Sequence, residues 1–212
     1  MRPLALLLSL LLVLLTPVAA VQAASEEAVF AGGCFWCLEH DLESLPGVTA
    51  AISGYSGGHV AKPTYRQVSA EGTGHQESVL VRFDNSRLSY ATLLRAYWRN
   101  IDPFDGRGQF CDQGDSYRPV IFTASAEQAK QARSSLQAAA RELARPAATL
   151  RVEIKPLETF WPAEEYHQRY AERNPLLYNY YRFRCGRDRR LDQVWGAKAR
   201  RSIPWGNPQP RP

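Results

Sequence analysis

Strand-like and helix-like hydrophobic patterns alternate along this chain from Ala28 to Leu157, with no low-complexity linker between them and no fixed repeat of roughly 20 to 50 residues. Ala28-Val29-Phe30-Ala31 reads as a short apolar strand that runs into Gly32-Gly33, where backbone can turn or approach a neighbour closely. Cys34 then opens a helix, with Leu38, Leu42 and Leu45 at i, i+4 and i+7 and Pro46-Gly47 as its stop. Strands are expected at Val48–Ile52, Ser78–Asp84, Pro119–Thr123 and Arg151–Leu157, and helices at Ser89–Trp98 and Ser125–Arg145. Gly54–His59 and Asp102–Tyr117 read as loops. The fold expected is α+β: a single mixed α/β sandwich domain over residues 24–186, with a central mixed sheet flanked by helices. An irregular, basic, Pro-rich tail is expected over 187–212.

The net charge of +5 sits at one end. Residues 182–212 hold nine basic and two acidic side chains, a balance of +7, so the rest of the chain sums to −2. The body is not basic, and no nucleic-acid partner is expected; arginines in a Pro-rich end are solvating. Residues 1–23 read as a secretory signal peptide: Arg2, an apolar run from Leu4 to Leu15 broken by Ser9, then small residues to Ala24. That run is shorter than the ~20 residues a membrane helix needs, so cleavage and no stable anchor are expected. Export, periplasmic or extracellular, is the expected address, and it places Cys34, Cys37, Cys111 and Cys185 where disulfides persist. Four cysteines allow three complete pairings, and all three stay open. One Cys-x-x-Cys without a second pair or spaced histidines does not make a closed metal site, so no metal is expected.

Gly32-Gly33-Cys34-Phe35-Trp36-Cys37 sets a thiol between a strand and a helix start, where free amides and the helix dipole favour thiolate. Phe35 and Trp36 supply aromatic walls suited to a methyl or thioether group. Three other uses of the thiol remain open from the residues alone. A disulfide exchanger would need only Cys34 and Cys37, a cysteine hydrolase would pair Cys34 with His75 or His167, and a binding domain would be stapled by two bridges.

Gly33-Cys34-Phe35-Trp36 resembles the signature of the class A peptide methionine sulfoxide reductases. Gly54-Tyr55-Ser56-Gly57-Gly58, Pro63-Thr64-Tyr65, Thr73-Gly74-His75-Gln76-Glu77, Gln109 to Tyr117, Tyr166–Tyr170 and Asn174-Pro175 resemble the same family in the same order, from about Val29 to Trp195. The resemblance implies a thiol-dependent reductase that returns the S epimer of methionine sulfoxide to methionine, without a bound cofactor. Cys34 is then the nucleophile and Glu77 the acid that protonates the sulfoxide oxygen. Tyr65 and Tyr117 hydrogen-bond that oxygen, Phe35 and Trp36 hold the S-methyl, and Asp112 orients the polar network with support from His167. A sulfenic acid left on Cys34 needs a resolving thiol. Cys185 leads the candidates because its Arg- and Gly-rich segment can swing, followed by Cys111 beside Asp112 and then Cys37. The partners implied are oxidised proteins or peptides and a thioredoxin-like dithiol reductant, with the enzyme expected to be a monomer.

Overall fold

The computed structural model describes residues 25–199 of the 212. The expected signal peptide and the last thirteen residues of the expected tail lie outside the described residues.

The alternation of the sequence becomes a six-stranded mixed sheet. In chain order its strands are β1 (Ser25–Ala31), β2 (Val48–Ser56) and β3 (Gln76–Asp84). A two-stranded hairpin, β4 (Gly108–Gln109) and β5 (Asp112–Gln113), stands apart, and β6 (Val120–Thr123), β7 (Glu153–Pro156) and β8 (Phe160–Pro162) rejoin the main sheet. The spatial order is β7-β6-β1-β3-β2-β8, antiparallel throughout except for the β6–β7 pair. β1 and β3 are central and covered on both faces, so Ala28 to Ala31 are all buried and read as a continuous apolar run.

Among the described residues seven α-helices accompany the sheet: α1 (Phe35–Glu43), α2 (Tyr65–Ser69), α3 (Tyr90–Trp98), α4 (Ala126–Glu142), α5 (Tyr170–Arg173), α6 (Pro175–Cys185) and α7 (Arg187–Trp195). Leu38 and Leu42 of α1 and Leu93, Leu94 and Tyr97 of α3 share one core with Phe30, Val79, Val81 and Phe83 of the sheet. Val29, Ala31, Leu80, Val120 and Phe122 form a smaller cluster of their own. Ser89 and Ser125 cap α3 and α4, accepting the amides of Thr92 and Gln128.

Two expectations are corrected. β2 continues through Gly54, Tyr55 and Ser56, so the loop begins only at Gly57. Gly54 is there because β8 crosses closely: a Cβ would lie 2.3 Å from Phe160 Cζ and 2.4 Å from the Trp161 carbonyl. Nor does the chain turn irregular after Gly186. That glycine, at φ +68°, ends α6 in the left-handed conformation and leads directly into α7. Arg187, Leu191 and Trp195 of α7 are buried against the body, so the folded unit extends through Ala199. Leu191, Val194 and Trp195 have helical spacing, but charged neighbours obscure it in the sequence.

Candidate active site

Cys34 is the N-cap of α1, and the turn that delivers it is tight. Gly33 has φ +80°, and a Cβ there would stand 2.6 Å from Gln109 Cβ. Gln109 is wholly buried and cross-bonds Asp102 through both its amide groups, which fixes the loop against the turn. The sequence thus brings β1, α1 and the 102–117 loop to one point.

Around Cys34 the structure gathers residues far apart in the chain. Glu77, near the start of β3, is buried and its Oε2 accepts the Phe35 amide at 3.0 Å. Burial pushes its carboxyl up to about 8 against the pull of that amide, with the charges of Asp112 and Cys37 adding to the rise. Asp112 accepts the Tyr181 hydroxyl, and burial raises it as well, against the pull of that hydroxyl, of Arg187 and of the Cys34 backbone. The Phe35 amide that opens α1 is therefore bonded to a carboxylate. Cys34 does not gain the thiolate that the helix start alone suggests: burial, then its contact with Cys37 and the charges of Cys37, Glu77 and Asp112, raise it well above an ordinary thiol. Cys37 moves the other way, lowered by its hydrogen bond with Cys34 and by Arg187 and Arg182, with burial opposing.

Aromatic rings close the site. The Phe35 ring is buried, with centroids 4.9 Å from His167, 5.9 Å from Tyr55 and 6.5 Å from Tyr65. Trp36 stacks on Tyr170 at 3.7 Å and donates its indole N–H to His167 Nδ1 at 3.1 Å. That bond leaves the His167 proton on Nε2, which has no hydrogen-bond partner, and burial lowers the ring toward neutrality. The Tyr65 and Tyr117 hydroxyls are both raised, chiefly by burial, with the charge of Glu77 adding to each. Cys34, Glu77, Tyr65, Tyr117, Phe35, Trp36, Asp112 and His167 thus belong to one connected cluster.

Cys111 and Cys185 are joined in a disulfide, with Cα atoms 4.9 Å apart. Cys111 is exposed and Cys185 half-buried, whereas Cys34 and Cys37 are free and buried. Cys185, the leading candidate resolver, is therefore held by Cys111, and the thiol in contact with Cys34 is Cys37. Among the described residues one group of metal-type donors converges, Cys111, Asp112 and Cys185, and two of its three ligand atoms are committed to the disulfide.

The sequence did not single out Glu164, whose two oxygens accept the Tyr65 amide at 2.8 Å and the Tyr55 hydroxyl at 2.9 Å. It ties α2 and β2 together under the pocket. Gln168 likewise pins the following loop to β2 through Ser53. Arg182, Arg187 and Asp41, at the inner end of the thiol pair, were also missed. Their positions in charged stretches gave no signal except that Asp41 lies one helical turn after Cys37.

Comparison with known proteins bears on this cluster. The family model described as peptide methionine sulfoxide reductase matches residues 26–199. Peptide methionine sulfoxide reductase MsrA 2 of Caulobacter vibrioides is 50% identical over 198 residues, covering 92% of this chain and 100% of that one. Methionine sulfoxide reductase A of Corynebacterium diphtheriae superposes with a TM-score of 0.68 at 32% identity, over 74% of this chain and 78% of the other. Mxr1 from Saccharomyces cerevisiae in reduced form gives 0.68 at 25% identity, over 73% and 88%. Mxr1 has also been solved in complex with Trx2, where the likeness is 0.50 at 18% identity over 73% and 91% and concerns the fold.

Proposed function

The chain belongs to the peptide methionine sulfoxide reductase family, class A, and on that premise we propose that it reduces the S epimer of methionine sulfoxide, peptide-bound or free, to methionine through a Cys34 sulfenic acid. The observation that carries this reading is Glu77. A buried carboxyl raised to about 8 is an acid at neutral pH, and it lies beside a thiol within an aromatic wall. Oxide is not a leaving group until it is protonated, so nucleophile and acid are needed together.

Phe35 and Trp36 bracket the S-methyl group, and the Tyr65 and Tyr117 hydroxyls point the sulfoxide oxygen toward Glu77. Asp112 orients the polar network through the Tyr181 hydroxyl, and His167 fixes the Trp36 ring. Cys34 sulfur attacks the sulfoxide sulfur while Glu77 protonates the oxygen. The oxygen passes to Cys34, methionine leaves, and the two electrons gained by its sulfur are those lost by Cys34. Cys37 then attacks the sulfenic sulfur, an S–S bond forms, and the S–O bond breaks with release of water. Exchange with Cys111 and Cys185 carries the disulfide to the surface. The arrangement seen here, with Cys34 and Cys37 free and Cys111–Cys185 bonded, is the one such a relay leaves for an external reductant. That reductant is a thioredoxin-like dithiol protein, in keeping with the Mxr1–Trx2 complex.

The proposal extends to address and state: residues 1–23 have the pattern of a secretory leader, which supports a monomeric enzyme that works with its donor on damaged protein substrates outside the cytoplasm. The test is a single turnover of fully reduced protein on peptides carrying resolved S- and R-methionine sulfoxide, followed by disulfide mapping by mass spectrometry. Oxygen loss from the S epimer alone is expected, with a Cys34–Cys37 bridge trapped at early times. Thiols that titrate normally while neither epimer is reduced would overturn the reading.

A further inference from the structure

Two arginines from the C-terminal helices reach the inner end of the thiol pair. Arg187, two residues beyond Cys185, is among the largest fully buried side chains, at 1% exposure. Its Nη2 donates to the Asn100 carbonyl at 2.6 Å and its Nη1 to the Gly32 carbonyl at 3.4 Å, and its guanidinium lies 4.4 Å from the Phe110 ring centroid. Its Nε has no hydrogen-bond partner and stands 3.8 Å from Asp41 Oδ2. Asp41 is already claimed by Arg182, whose Nη1 donates to both carboxylate oxygens at 3.0 and 3.1 Å and to the Tyr178 hydroxyl at 2.8 Å. Arg182 also pairs with Asp188 at 2.8 Å. Arg182 is thus matched, whereas Arg187 has two carbonyls and a distant share of one carboxylate. A cation buried with so little counter-charge is costly unless another anion stands near it.

The group placed to be that anion is Cys37. It lies one helical turn before Asp41, is 1% exposed, and is packed with Tyr178, Trp36, Tyr170 and Tyr181. The charged groups acting on it are Arg182 from α6, Arg187 from α7 and Asp41 of its own helix, and its backbone amide donates to the Cys34 carbonyl at 3.1 Å. Glu77 of β3 and Asp112 of β5 act on Cys34 with the opposite sign to the arginines. Tyr178 and Tyr181 are both raised, chiefly by burial, and stay neutral.

We infer that Arg187, assisted by Arg182, is a positioning residue for the reduction: it settles the single negative charge of the thiol pair on Cys37, so that Cys37 takes the Cys34 proton during attack and then closes the disulfide. The inference rests on the reductase reading above. The opposite directions in which the two thiols shift agree with it.

The balance of atoms follows. The resting site holds a Cys37 thiolate, a Cys34 thiol and a Glu77 carboxylic acid, hence two transferable protons and one negative charge. As Cys34 attacks, its proton moves to Cys37 and the Glu77 proton moves to the sulfoxide oxygen. The substrate S–O bond breaks and methionine departs. Cys37 sulfur then bonds to Cys34 sulfur, the Cys34 S–O bond breaks, and the Cys37 proton joins the departing hydroxide as water. Two cysteine sulfurs have each lost one electron, the substrate sulfur has gained two, and the one negative charge now rests on Glu77.

The test uses the full chain with Cys111–Cys185 oxidised and cysteine Cβ carbons labelled with carbon-13. Cys37 and Cys34 are titrated by NMR in the wild type, Arg187→Lys, Arg187→Met and Arg182→Met, and single-turnover rates on the S-sulfoxide peptide are measured across pH. In the wild type the Cys37 midpoint lies below that of an ordinary thiol and Cys34 lies above. Arg187→Met is expected to raise the Cys37 midpoint by about one unit and to move the acid limb of the rate profile by the same amount, which slows the reaction about tenfold on the acid side of that midpoint and little above it. Arg187→Lys keeps both near wild type. Should Arg187→Met fail to fold, Arg182→Met decides the matter by a smaller shift in the same direction. A Cys37 midpoint that ignores the arginine substitutions, or a rate loss equal at every pH, would overturn the inference in an active enzyme. A wild-type chain that reduces neither epimer overturns the reductase reading instead, whatever the titrations show.

Discussion

A glutamate that stays neutral at pH 7 has to be shielded from water, and Glu77 is: it is 3% exposed and meets a single backbone amide. Its folded value of about 8 lies above the ordinary 4.5, so between those limits the folded chain keeps a proton that the unfolded chain releases. The resulting stabilisation is complete below the unfolded value and is lost as pH rises through the folded one. Glu77→Gln is expected to melt higher than the wild type at pH 9, where no charge need be buried, and close to it at pH 4, which thermal scans at both pH values would show. The same substitution removes the acid. Single-turnover reduction of the S epimer should fall by roughly a hundredfold to a thousandfold, and the loss of rate that the wild type shows above pH 8 should vanish. A variant that retains full rate and the alkaline limb would move the proton donor elsewhere. Cys34→Ser should abolish reduction in the same assay.

At the scale of elements, the strand–glycine–helix turn is the part of the site that tolerates change least. Gly33 combines φ +80° with a Cβ position 2.6 Å from Gln109 Cβ, whereas Gly72 has φ +82° and nothing within 4 Å. Gly33→Ala should cost ~3 kcal/mol by denaturant unfolding, because strain and collision add, and Gly72→Ala ~1 kcal/mol from strain alone. Similar costs at the two positions would mean that the loop carrying Gln109 yields freely. This turn was legible because β1 and α1 each bury one uninterrupted apolar pattern, and α3 and α4 were legible through their serine caps and regular spacing. α6 hid for the opposite reason: Leu176, Leu177, Tyr180 and Phe183 face outward, so its hydrophobic pattern does not mark a buried side. α7 hid behind arginines, one of which is buried. Of the site, the residues gathered around Cys34 could be read from motifs, while Glu164, Asp41, Arg182 and Arg187 could not, since they act through folding partners up to 141 residues away in sequence. The cysteine pairing was beyond periodicity too, because its halves lie 74 residues apart and only the packing of α6 brings them together.

Across the whole molecule, the Cys111–Cys185 bond ties the 102–117 loop, which carries Asp112 and Tyr117, to the end of α6, and through Arg187 to the Cys34 turn. It is at once a staple and the exposed end of the proposed relay, and these two roles separate in one variant. Cys185→Ser should lower unfolding free energy by about 2–4 kcal/mol if the closed loop acts mainly on the unfolded chain. It leaves Cys34, Cys37 and Glu77 in place, so the reduced variant should still convert one equivalent of S-sulfoxide and stop with a Cys34–Cys37 bridge. Turnover supported by a thioredoxin-like protein should then collapse, because Cys34 and Cys37 lie 7% and 1% exposed and a protein thiol reaches only the surface pair. A small dithiol reductant, able to enter the pocket, should restore part of the rate. If Cys185→Ser instead cycles with the protein donor at the wild-type rate while losing stability, the surface disulfide is a staple alone, and the donor must reach the buried pair directly through movement of α6.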